Sequence, residues 1–183
     1  MIKINKNFYN IFNRKNFIIL FFVVLIINYI FFNQRVLFRE NGYILGDWLI
    51  NYNGGFVRRA LLGHIFFQLS KFSKIPIIEI IFIFSSLIYS ISIILFYKVV
   101  EKRLNNNVIL IFLLLPSTLL FNFFDPLTVG RKEILVFFLF LIYYLNLDNQ
   151  NIIYKISFYI LSIVSILTHE IFFFVIPYFF LLR

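Results

Sequence analysis

The stretch PIIEIIFIFSSLIYSISIILFY, residues 76–97, holds a single ionisable carboxylate, Glu79, and no basic side chain. At 1.5 Å per residue a helix of this length spans about 33 Å, enough to cross the roughly 30 Å hydrocarbon core of a bilayer. Pro76 suits the first helical turn, where its missing N–H would have no partner within the helix. Ser85, Ser86, Ser90 and Ser92 can bond back to their own helix or across to a neighbour. Working outward, apolar runs also cover 17–32, 108–124, 134–147 and 152–182. The run at 108–124 is interrupted by Pro116-Ser117-Thr118, and the last run by Lys155 and by His169-Glu170. As one helix that last run would be about 46 Å long. Two helices, 152–168 and 171–182, meeting at His169-Glu170, fit a bilayer better.

The composition agrees. Of 183 residues, 62% are hydrophobic and 14% charged, against about 25% charged in an average soluble domain, and the mean hydropathy is +0.93. A soluble globule cannot hide that much apolar surface. The chain has no cysteine, which removes disulfides and thiolate metal sites. The predicted fold class is therefore all-α: a polytopic transmembrane helix bundle of five or six spans. It forms one transmembrane domain over 1–183, with a long extracytoplasmic first loop containing an interfacial helix. The apolar run at the C-terminal end predicts that the chain is the N-terminal portion of a longer protein.

The net charge is +9, from 17 Lys and Arg against 8 Asp and Glu. No long basic run or base-stacking module accompanies it, so membrane topology and anionic lipid explain it better than nucleic acid. Lys3, Lys6, Arg14 and Lys15 precede the first run without an acidic residue. A signal peptide would show an A-x-A-like cleavage site, but the chain continues through Asn33-Gln34-Arg35, so a retained first helix is predicted. A cytoplasmic N-terminus places Lys98, Lys102, Arg103 and Lys155 inside. It places Arg35, Arg39, Arg58, Arg59, Lys71, Lys74, Arg131 and Lys132 outside. Basic residues on the outer side run against the usual tendency, and an anionic ligand would account for them.

The chemically capable residues gather on that same side, in three connections: the loop at 33–75, the segment at 125–133 and His169-Glu170. Gly54 and Gly55 permit a tight turn or a close backbone approach. A helix predicted over 56–72 would offer free N–H groups beside Arg58 and Arg59, which suits a phosphate or diphosphate. The alternative is an interfacial anchor touching lipid phosphates. Asp125 before Pro126 ends the third span. Arg131 can pair with Asp125 or Glu133, or bind a ligand with Lys132. His169-Glu170 lacks the second histidine of a metalloprotease motif. No cofactor is predicted; a divalent metal held by His169, Glu170 and Asp47 is the weaker reading. Taken singly, each residue also reads as a loop side chain snorkelling beside a helix end.

At Asp47-Trp48, Asn51-Tyr52, Gly54-Gly55-Phe56-Val57-Arg58-Arg59, Gly130-Arg131-Lys132-Glu133 and His169-Glu170 the chain resembles membrane proteins of bacterial surface-polysaccharide clusters. These are similar to O-antigen and capsule repeat-unit polymerases and to GT-C lipid-linked glycosyltransferases. The resemblance implies a multi-pass protein of the bacterial cytoplasmic membrane that transfers or polymerises a polyprenyl-diphosphate-linked glycan at the extracytoplasmic face. It implies membrane lipid, a polyprenyl-linked saccharide and other polysaccharide-assembly proteins as partners. Asp47 falls where GT-C enzymes carry an essential acidic residue, and becomes the general base, with Glu170, oriented by His169, the second candidate. Arg58, Arg59 and Arg131, with Lys132, become the diphosphate-binding set; Gly54, Gly55, Asp125 and Glu133 support it. The same arginines would serve a flippase of an anionic lipid-linked glycan, and a non-catalytic subunit of a biosynthetic complex is the third reading. The chain is shorter than such families usually are.

Overall fold

The computed structural model describes residues 14–40, 42–57, 59–101, 111, 113, 115, 120–147 and 151–181. Most of the predicted 108–124 span, and Arg58, lie outside the described residues. Everything regular among the described residues is helical. Helix α1 covers Arg14–Arg35 and passes into a π-helical turn, Val36–Glu40. Helix α2 (Gly42–Leu49), a 3-10 turn (Tyr52–Gly54) and α3 (Leu61–Ser73) follow. Next come α4 (Ile77–Val100), the short α5 (Phe121–Phe124), a 3-10 turn (Pro126–Thr128) and α6 (Ile134–Leu145). The last two are α7 (Ile152–Thr168) and α8 (Ile171–Leu181).

Helices α1 and α4 run antiparallel along their whole lengths. Lys15 meets Glu101 at 2.8 Å, the ring of Phe22 lies 5.6 Å from that of Tyr97, and Tyr29 stacks on Tyr89 at 3.7 Å. At the other end Asn33 donates from Nδ2 to Ser85 Oγ and Ser86 Oγ, both at 2.9 Å. Two helices, Lys15–Arg39 and Ile77–Val100, are long and apolar enough to cross a membrane. Helices α6 and α7, of 12 and 17 residues, are equally apolar but only about 18 and 26 Å long.

Beside its buried apolar clusters, this bundle buries small hydroxylated residues and exposes many aliphatic ones. Ser85, Ser92, Ser162, Ser165 and Thr168 are buried, while Leu20, Ile27, Ile83, Leu87, Ile153, Ile160 and Ile163 are exposed. The buried hydroxyls bond to carbonyls one turn back: Ser92 to Ile88, Ser162 to Phe158, Ser165 to Leu161 and Thr168 to Val164, at 2.7–2.9 Å. Small hydroxylated residues between helices, with aliphatic side chains outward, are what close packing in an apolar solvent favours.

The segment joining α1 to α4 folds as a cap on one end of the helices. Val36, Leu37, Ile44, Trp48 and Phe66 from the cap share one buried cluster with Ile81, Leu135, Leu139, Tyr143, Phe158 and Phe172 from the helices below. Helix α3 carries Phe66 into the core, and it starts at Leu61 instead of residue 56. Residues 56 and 57 lie in irregular chain, so Arg59 sits just before the helix. Gly63 fixes where α3 packs. A Cβ there would fall on the carbonyl oxygen of Ile50, and 2.6 Å from that of Trp48.

Candidate functional site

The last apolar stretch breaks where the sequence breaks it. His169 closes α7 in an extended conformation (φ −155°, ψ 124°), and its Nδ1 accepts the N–H of Ile171 at 3.3 Å, at the start of α8. His169 thus serves the helix junction. The side chain that holds Glu170 is Arg59, whose Nη2 lies 2.5 Å from Glu170 Oε1. Both partners are about half exposed.

A second ion pair lies deeper. Lys132 Nζ is 3.7 Å from Asp47 Oδ2, and the lysine side chain is wholly buried. The ammonium also donates to the carbonyl of Arg59 at 3.4 Å and lies 5.6 Å from the centre of the Trp48 ring. Burial pushes the Lys132 pKa below the ordinary lysine value; the Asp47 carboxylate pulls it back up, and the Arg59 guanidinium adds to the depression. Trp48, the single tryptophan, is fully buried and donates from Nε1 to the carbonyl of Gly130 at 2.6 Å. Position 130 favours glycine chiefly through its backbone. Its φ is +85°, and a Cβ would meet Asn33 Oδ1 at 2.6 Å.

Residues from all three connections therefore meet. Asp47 and Arg59 come from the cap, Lys132 from the turn before α6, and Glu170 from the α7–α8 junction, in the order Asp47, Lys132, Arg59, Glu170. Other expected members stand apart. Arg131 and Glu133 are exposed, and neither pairs with Asp125 among the described residues. Asp125 turns the chain through its backbone, its carbonyl accepting from Thr128 Oγ1 at 2.7 Å. Lys132 points inward, so its charge is already engaged by Asp47 and it presents no free ammonium to a ligand. Gly54 and Gly55 form the tight turn expected of them, Gly55 at φ +119°, and the rings of Tyr52 and Phe56 stack across it at 5.8 Å.

Sequence reasoning missed the role of Trp48 and the contribution of Asn33. A lone indole beside an acidic residue, and an amide inside an apolar helix, were the available signals. Among the described residues no group of three or more His, Asp or Glu could hold a metal ion.

Beside this cluster lies an open groove of about 580 Å³ lined by Phe56, Ile166, Leu167, Phe173 and Phe174, with Glu170 as its charged member. An apolar trough thus ends at a carboxylate that is bridged to a guanidinium. The chain matches no protein-family model, no curated protein and no solved structure, so any kinship with polysaccharide polymerases rests on the motif residues themselves.

Proposed function

We propose that this is a multi-pass protein of the bacterial cytoplasmic membrane, with its N-terminus cytoplasmic and five or six spans. In this reading it transfers or polymerises a polyprenyl-diphosphate-linked glycan at the extracytoplasmic face. One observation carries the proposal: the apolar groove opens directly onto the Arg59–Glu170 pair. An amphiphile with a hydrocarbon tail and an anionic headgroup matches that junction of greasy trough and guanidinium.

The chemistry follows from the same geometry. An arriving diphosphate competes with Glu170 for Arg59. Once Arg59 turns to the diphosphate, Glu170 is released at the groove, where it can take the proton of an acceptor hydroxyl. The acceptor oxygen then bonds to the anomeric carbon, the bond from that carbon to the diphosphate breaks, and Arg59 stabilises the departing charge. Glu170 lines the groove and Asp47 is held by Lys132, which favours Glu170 as base and gives Asp47 the task of fixing Lys132 beneath Arg59.

Complementation of a polysaccharide-deficient strain by Glu170→Gln, Asp47→Asn and Arg59→Ala tests this assignment. Glu170→Gln and Arg59→Ala are expected to abolish polymer extension, with loss of at least roughly 100-fold for removal of a general base, while the proteins still accumulate in the membrane. Full-length polymer from both variants would overturn the assignment. The flippase reading draws support from Pro177 inside α8, since broken helices recur at transport sites. Translocation of a lipid-linked oligosaccharide that survives Glu170→Gln would favour it.

A further inference from the structure

A second basic site lies on the outer flank of α1, away from the ion-pair cluster. Phe31, Gln34, Arg35, Phe38 and Arg39 line an open cavity of about 330 Å³. Phe31, Arg35 and Arg39 recur every four residues, and Gln34 and Phe38 form the adjacent row, so all five share one helix face. The π-helical turn over Val36–Glu40 widens the backbone there and keeps that spacing aligned where an α-helix would drift. The opposite face is spoken for, because Val36 and Leu37 are buried in the core. Phe38 is steadied by an edge-on contact with Phe82 of α4, 6.1 Å between centres.

The five side chains are ordered by depth. Phe31 lies furthest into the apolar helix and Arg39 furthest out, about 12 Å along the axis. Phe31 marks the apolar end and Arg35 and Arg39 the outer end, with Phe38 set between the two guanidiniums; an apolar lower wall leading to two cations suits a phospholipid, acyl chain and then phosphate. We propose that this face binds the headgroup phosphate of an anionic glycerophospholipid, with Arg35 and Arg39 on the phosphate oxygens, Gln34 donating beside them, Phe38 packed between the two guanidiniums, and the acyl chain against Phe31. The site rests on the membrane reading above but not on glycan transfer. It gives a second reason for basic residues on this side, separate from the Arg59–Glu170 groove.

Native mass spectrometry of the full chain, released from mild detergent after exposure to phosphatidylglycerol or phosphatidylcholine, tests the site. Wild type is expected to retain phosphatidylglycerol preferentially. Arg35→Gln with Arg39→Gln should cut that retention roughly 25-fold, about fivefold per basic side chain. Lys71→Gln with Lys74→Gln removes the same charge from exposed positions of the cap and should leave retention within twofold. Arg39→Lys, which keeps the charge but loses the planar fork, should fall between. Undiminished retention in the double arginine variant, or an equal fall in the lysine control, overturns the proposal. Displacement of the lipid by millimolar inorganic phosphate also overturns it, assigning the site to free phosphate. Wild type that retains no lipid of either class defeats the membrane reading itself, whereas lipid retained without preference defeats only this site.

Discussion

The seam between α1 and α4 and the junction beneath the cap handle polar groups in different ways. Along α4, the hydroxyls of Ser85 and Ser92 donate to carbonyls four residues earlier in the same helix, so those bonds form with local structure, and the amide of Asn33 crosses the seam to meet Ser85 and Ser86. Under the cap, every important partner is far away in sequence. Trp48 reaches Gly130, Asp47 reaches Lys132, and Arg59 reaches Glu170. The first arrangement tolerates change and carries no net charge. The second exists only when three connections are assembled, and it holds the Lys132 ammonium wholly buried against a carboxylate of low exposure. That costs stability and is the usual mark of a site that binds or reacts.

Substitutions can break this contrast, beginning with the largest effect. Gly63→Val places side-chain atoms on the carbonyls of Ile50 and Trp48, so the cap cannot seat against α3. The expected loss is about 3 kcal/mol or more, visible as protein that fails to elute as a single species. Lys132→Met leaves the partly exposed Asp47 carboxylate without its cation and the Arg59 carbonyl without its donor, an expected loss of about 2 kcal/mol. Thermal unfolding in detergent reads it. Trp48→Phe keeps most of the packing but leaves the Gly130 carbonyl unpaired, for about 1–2 kcal/mol. Ser92→Ala, in the seam, should cost about 0.5 kcal/mol or less, because the hydroxyl and its acceptor belong to the same helix. A seam variant as damaging as Lys132→Met would remove the distinction.

The pH dependence sharpens it further. The folded-state pKa of Lys132 is depressed, chiefly by burial. Between that depressed value and the ordinary lysine value, the unfolded chain holds a proton that the folded chain has lost. Stability contributed through Lys132 should therefore rise as pH increases through that window, and be least below the folded pKa, where the buried ammonium must stay charged. The melting temperature of wild type should climb as pH approaches the ordinary lysine value from below, while that of Lys132→Met stays flatter. Parallel curves would show that Lys132 is not buried in its charged form.

The helices themselves were legible because apolar length is a local property. The break at His169-Glu170 was legible too, since two polar residues interrupt a run too long for one span. The meeting of the cap with Lys132 and Glu170 was legible only as a shared side of the membrane. Which cation pairs with which carboxylate depends on packing between segments, and Arg131 and Lys132 look alike in sequence although one is exposed and the other buried. The start of α3 was misplaced for a related reason. Gly63 must sit against the chain at Trp48–Ile50, and that tertiary demand, not helix propensity, decides which residues before it stay irregular.

The antiparallel register of α1 and α4 has a consequence for topology by parity. Lys15 and Glu101 touch, so the two ends of this hairpin lie at one level. The cap therefore adds no net crossing. In the membrane reading proposed above, residues 36–76 occupy the side opposite Lys15 and Glu101 whichever way the chain inserts, together with the pairs made by Asp47 and Arg59. The orientation of the whole ionic cluster reduces to a single bit, and one accessibility label placed beside residue 101 reads it.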